Sequence, residues 1–127
     1  PNMTLLKTFP RKQENEFLNA GDVGLVTLLP NMMGTGVPSK TYSYMAAGKP
    51  ILGVLDADSE VGLLISESNN GWIANPNNPK ELSELIKSIS KDKISLKEKG
   101  EKSRKLAETS YSLKNITELY YSKITNL

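Results

Sequence analysis

The chain has 127 residues, 38% of them hydrophobic, enough for a single domain with one modest core. Its formal net charge of +2 is too small to argue for a nucleic-acid partner, and the absence of cysteine excludes a disulfide framework and thiolate chemistry. The absence of histidine removes the commonest general base, the serine triads and most zinc sites together.

In chain order, Thr4 to Phe9 reads as a strand, and Arg11 to Ala20 as a short helix stopped by Gly21. Val23 to Leu29 is a near-continuous apolar run, the pattern of a strand buried on both faces. A glycine-rich loop, Pro30 to Val37, leads into a helix from Ser39 to Ala47, with Tyr42, Met45 and Ala46 on one face. Gly48 suits the left-handed position that closes a helix, and Pro50 forbids continuation. Ile51 to Leu55 is the next buried strand. Asp58-Ser59 open a helix with a Val61, Leu64, Ile65 stripe, which ends at Asn69-Asn70-Gly71. Trp72 to Ala74 is a short strand. Asn78-Pro79-Lys80-Glu81 combines an N-cap, a proline at the first helical position and a glutamate at the third. Leu82, Leu85, Ile86 and Ile89 supply that helix's core face. Two further helices fall near Ser95–Thr109 and Ser112–Thr125, the first with Gly100 in its middle, the second with Leu113, Ile116, Leu119, Tyr120 and Ile124 for packing.

Strands alternating with helices predict an α/β fold, a Rossmann-like parallel sheet with helices on both faces, over a single unit of residues 1–127. Such sheets bind ligands beyond the strand C-termini. The loop Gly34-Thr-Gly-Val-Pro-Ser-Lys40 leaves such a strand end and offers bare backbone N–H groups to an anion. A glycine-rich turn alone is equally a tight connection. Lys40 in the first helical turn is poorly placed for the helix dipole, which favours an anion between the two.

Elsewhere the plainer readings prevail. The lysines of residues 80–105 are interleaved with Glu81, Glu84, Asp92, Glu98 and Glu101, as on solvated helix faces. Trp72, Tyr42 and Tyr44 read as core or half-buried, and Tyr111, Tyr120 and Tyr121 as packing for the terminal helices. Asp56 and Asp58 read as N-caps before metal ligands, and Glu60 is accounted for by the dipole. Asn2-Met-Thr4 and Asn115-Ile-Thr117 match the glycosylation pattern by chance. No signal peptide or membrane-spanning run is visible, and the start at Pro1 suggests a cut from something longer.

Asp22-Val-Gly-Leu-Val, the Pro30 to Lys40 loop, Tyr44-Met-Ala-Ala-Gly-Lys-Pro-Ile and Gly71-Trp-Ile follow one another in the order and spacing of one known family. They resemble the C-terminal, nucleotide-sugar donor-binding domain of GT-B-fold retaining glycosyltransferases of the glycosyl transferases group 1 type. The form Pro38-Ser-Lys-x-Tyr-x-Tyr-Met-Ala-Ala-Gly-Lys-Pro50 is similar to a branch common in bacterial surface-polysaccharide synthesis, and Tyr111-Ser-Leu-Lys-Asn-Ile-Thr resembles the lead into the family's last helix.

The resemblance implies a hexosyltransferase that passes a sugar from a nucleotide-diphosphate sugar to a saccharide or lipid-linked acceptor, with retention and without metal or cofactor. It puts Gly34, Thr35, Gly36, Val37, Pro38, Ser39 and Lys40 at the donor sugar and diphosphate, and Ser43 at the ribose. Thr35 and Ser43 stand where the family carries two glutamates, so two hydroxyls replace two carboxylates. No residue is assigned a catalytic role. Cytoplasmic localisation, peripheral at the inner face of the cell membrane, is implied as well.

Against the family's order, the first two β-α units and the acceptor-binding domain are absent, leaving about four strands and the C-terminal helices, inactive alone. In a strand order 3-2-1-4-5-6, two missing strands would separate Thr4–Phe9 from Val23–Leu29. The latter is then an exposed edge, open to self-pairing, swapping or docking of Thr4–Phe9. The alternatives are a non-catalytic α/β module binding a nucleotide or phosphorylated ligand, and a sugar-nucleotide epimerase of similar fold.

Overall fold

The structure is a computed structural model that describes residues 3–32, 34 and 36–126. A 3-10 turn at Arg11–Gln13 runs into helix α1, Glu14–Ala20; strand β1 is Gly24–Thr27, helix α2 Lys40–Ala46 and strand β2 Ile51–Val54. Then come α3 (Glu60–Ser68), β3 (Gly71–Ala74), α4 (Pro79–Lys91), α5 (Lys93–Thr109) and α6 (Leu113–Thr125). The three strands form one parallel sheet in the order β1-β2-β3, with Gly24 beside Ile51 and Ile51 beside Gly71. Parallel neighbours joined by helices are what the alternating pattern requires.

The expected strand at Thr4–Phe9 does not form: the described residues 3–10 carry no regular structure, and Leu5 is 97% exposed. A strand is held by its neighbours, and this segment has none, so the sheet has three strands and not about four. β1 is shorter than Val23–Leu29, although the ladder continues as far as the Leu28 N–H, which donates to the Val54 carbonyl at 3.1 Å.

The core lies between the sheet and helices α2 and α3, where Val26, Met45, Ile51, Leu55, Val61 and Ile65 are buried together. Alternation along the strands sends Val26 and Ile51 to this face. On α2 the buried residues are Thr41 and Met45; Tyr42 is only half-buried and Ala46 is exposed, so the expected face is turned by one position. On α4, Ile89 is buried but Ile86 is about half exposed.

Local chemistry sets the boundaries. Asn78 Oδ1 accepts from the Glu81 N–H at 3.1 Å, with Pro79 at the first helical position. Ser59, one residue after the expected Asp58, caps α3 through the Gly62 N–H at 3.2 Å. Gly48 takes φ +69 and ends α2. Gly100 in mid-α5 has a packing reason, since a Cβ there would stand 2.5 Å from the Gly48 carbonyl oxygen. α5 therefore crosses the end of α2 backbone to backbone, and the Arg104 guanidinium donates to the Ala46 carbonyl there. In α6 no described residue is buried, so the expected packing through Leu113, Leu119, Tyr120 and Ile124 is absent; each is more than half exposed.

Candidate functional site

The loop from β1 to α2 leaves the sheet at its C-terminal edge, where ligands of open α/β sheets bind. Asn31 turns it in the left-handed region at φ +62, and its N–H donates to Asp56 Oδ2 at 2.9 Å. Asp56 ends the β2 side of that edge, and its own carbonyl accepts the Ser59 N–H at 3.0 Å and the Ser59 hydroxyl at 2.6 Å. Asp56 is thus not the N-cap of α3, a role that Ser59 takes. It ties the loop to the neighbouring turn. The sequence signal for that role was slight, an aspartate just past the central strand.

Gly34 takes φ +74, a conformation that favours glycine, and neither at Gly34 nor at Gly36 would a Cβ meet anything within 4 Å. The loop backbone is therefore bare on its outer side. Among the described residues, no hydrogen bond engages the N–H groups of Gly34, Gly36, Val37, Ser39 or Lys40. The Thr41 and Tyr42 N–H groups are already used, by the carbonyls of Pro38 at 3.0 Å and Ser39 at 3.1 Å, and Pro38 has none to give. α2 has only seven residues and Ser39 makes no side-chain cap, so the helix dipole adds little at this end.

Val37 and Pro38 are half-buried, and Val37 packs on the core; Ser39 and Lys40 are exposed. Thr35 lies outside the described residues. Ser43 is not gathered into the loop. It is half-buried one turn further along α2 and lines a cavity of about 680 Å³ with Glu14, Asn15, Asn19 and Arg104.

The aromatic residues divide. The Tyr42 and Tyr111 rings meet with centroids 5.0 Å apart, and burial, with Tyr111 and Glu60 adding, pushes the Tyr42 hydroxyl above its ordinary pKa. With Val37 and Glu60 they line a crevice of about 500 Å³. Tyr44 lies against Gly24, and the Lys99 ammonium sits 5.2 Å from the Trp72 ring. Tyr120 and Tyr121 are exposed. Among the described residues, no three histidine, cysteine, aspartate or glutamate side chains gather to hold a metal, and no helix is long and apolar enough to cross a membrane.

The sheet and loop define an α/β, Rossmann-like fragment with a glycine-containing turn at the strand C-termini. Over 103 residues, 81% of its length, the chain is 42% identical to the probable glycosyltransferase WbjE of Pseudomonas aeruginosa, so it is related in sequence to a glycosyltransferase. A continuous match of that extent takes in the loop and β2. The chain spans about a quarter of the length of this curated relative. No family model matches the chain. No solved structure matches it either.

Proposed function

We propose that this chain is the donor-binding part of a GT-B, retaining glycosyltransferase, in which the Gly34–Lys40 loop contacts the sugar and diphosphate of a nucleotide-diphosphate sugar. The observation that carries the reading is the 42% identity to a probable glycosyltransferase across a segment in which, among the described residues, the amides of Gly34, Gly36, Val37, Ser39 and Lys40 are unpaired at the sheet's C-terminal edge. The loop amides and Lys40 stabilise charge on the departing diphosphate. The bond from the anomeric carbon to the phosphate oxygen breaks, the acceptor hydroxyl bonds the same carbon on the same face, and its proton passes to the leaving phosphate. No side-chain base of this segment is needed, and the step is metal-independent. The saccharide or lipid-linked acceptor is held by protein outside this segment, at the inner face of the cell membrane, and the isolated chain is inactive. Ser43 approaches the ribose from its own side of α2. Nothing observed favours the ligand-sensing module or the epimerase.

The test is a titration of the full-length protein carrying this segment with uridine, guanosine and adenosine diphosphates, followed by thermal shift and Trp72 fluorescence. One of the three is expected to stabilise it. Lys40→Ala should weaken that diphosphate about tenfold, roughly 1.4 kcal/mol, while leaving the nucleoside nearly unchanged. No stabilisation by any nucleotide overturns the proposal.

A further inference from the structure

Among the sequence's asparagines, Asn70 alone is followed by glycine. Asn-Gly is the dipeptide most prone to lose its side-chain amide, because glycine presents the next backbone nitrogen with no side chain in the way. This fold requires the glycine. A Cβ at Gly71 would run into the Ile51 carbonyl oxygen of the neighbouring strand, so β3 can start on no other residue. The fold also leaves the asparagine side chain unheld. Asn70 is fully buried, and among the described residues neither its Oδ1 nor its Nδ2 has a hydrogen-bond partner. Its backbone carbonyl, by contrast, accepts the Ile51 N–H at 3.1 Å and the Ser103 hydroxyl at 3.3 Å.

We propose that Asn70-Gly71 is a modification site closed by the fold: it converts to aspartate and isoaspartate only when the α3–β3 turn opens, and the product does not return to the native sheet. The Gly71 nitrogen attacks the Asn70 Cγ. The bond from Cγ to Nδ2 breaks, ammonia leaves carrying the proton that the Gly71 nitrogen gives up, and a succinimide ring joins residues 70 and 71. Water then adds at either ring carbonyl, giving aspartate or, with the backbone rerouted through Cβ, isoaspartate. Closing the ring rotates the backbone at residue 70, and in the folded chain Ile51 and Ser103 both hold that backbone. Burial also keeps out the water that the last step consumes. Aspartate at this position puts a carboxylate where even the neutral amide is unpaired, which costs far more. The cation at the same turn, Lys99, is already held by Asn69 Oδ1 at 2.5 Å. Isoaspartate lengthens the backbone beside the Ile51 bond. Chains that open are thereby marked and kept from refolding. Protein outside this segment can only bury the pair further, and the inference is independent of the proposed function.

Incubating the full-length protein carrying this segment at mildly alkaline pH, with and without denaturing guanidinium chloride, decides it. Peptide mass spectrometry reads the exchange of ammonia for water at residue 70. In denaturant, Asn70 should convert ahead of every other asparagine of the segment. In native buffer it should convert at least about a hundredfold more slowly, the ratio being set by the opening equilibrium of the turn. Denaturant below the unfolding transition should raise the native rate in step with exchange of the Ile51 amide, which pairs with the Asn70 carbonyl. Asn70→Asp imitates one product and should speed exchange of that Ile51 amide at least about tenfold, or prevent folding outright. Equal conversion rates in buffer and denaturant overturn the proposal, as does another asparagine converting first. An Asn70→Asp chain with the parent's Ile51 exchange overturns it too, because the turn then accommodates the product.

Discussion

Leu25 and Leu52 share one rung of the sheet and one face of it, yet Leu52 is 5% exposed and Leu25 is 47% exposed. The β2–β3 side is closed. Ile51, Val61 and Ile65 are buried there, α5 crosses the end of α2 at Gly100, and α3 and α4 each start on a side-chain cap. The β1 side is open: among the described residues the strand has no second neighbour, the amides of Gly34, Gly36, Val37, Ser39 and Lys40 have no partner, and residues 3–10 carry no regular structure. Packing and open backbone are thus separated within the chain. The packed side holds the sheet, and the open side is where the described loop backbone is bare.

The sharpest way to break this contrast is along that rung. Leu52→Ala should cost about 3 kcal/mol, as buried leucines do, and Leu25→Ala less than about 1 kcal/mol, both read from urea unfolding. Equal costs would mean that β1 is as buried as β2. Gly100→Ala comes next. Its new methyl meets the Gly48 carbonyl backbone, which cannot swing aside as a side chain would. A loss of about 2 kcal/mol is expected, against the small gain that alanine brings to an unconstrained helix. A stabilised Gly100→Ala would show that α5 does not pack tightly across α2.

Most of the closed side was legible in the sequence because it obeys local rules. Asn78-Pro79 states a helix start, Gly48-Lys-Pro50 states a stop, and apolar runs of three to seven residues between helices state parallel strands. What was not legible depends on neighbours. Thr4–Phe9 has the composition of a strand, but composition does not supply a partner strand. The apolar positions of α6 have helical spacing, but no described element covers them. On α2 the pattern of Tyr42, Met45 and Ala46 missed Thr41, whose hydroxyl is buried without a hydrogen-bond partner among the described residues. A threonine reads as solvent-facing, and only the packing of α2 on β1 and β2 turns it inward. The loop was the site's most readable part, since its glycines and its place after a strand are both local. Ser43 was placed by alignment alone, and the structure sets it on another part of α2. The tie from Asp56 to Asn31 joins residues 25 apart, beyond the reach of any local pattern.

Ser59→Ala tests the capping that marks the closed side, with an expected loss of about 1 kcal/mol, since it frees the Gly62 N–H and the bond to the Asp56 carbonyl together. If Ser59 also steadies Asp56, the loop's hold at Asn31 should loosen, visible as faster exchange of the Asn31 amide. An unchanged Asn31 amide would separate the cap from the loop.

The smallest effect belongs to Asp92, between α4 and α5. Its carboxylate accepts from the Ser95 N–H at 2.9 Å and the Ser95 hydroxyl at 2.7 Å, and these bonds hold its pKa below the ordinary aspartate value. A carboxyl with a lowered folded-state pKa binds its proton less readily when folded than when unfolded. It contributes stability above about pH 4, and that contribution is lost as the pH falls through the folded-state value. The group is fully exposed, so the slope is shallow and fades in salt. Asp92→Asn should flatten the slope below about pH 4 while leaving the pH 7 melting temperature nearly unchanged. An acid slope that Asp92→Asn leaves unchanged would show that the Ser95 bonds do not favour the ionised carboxylate.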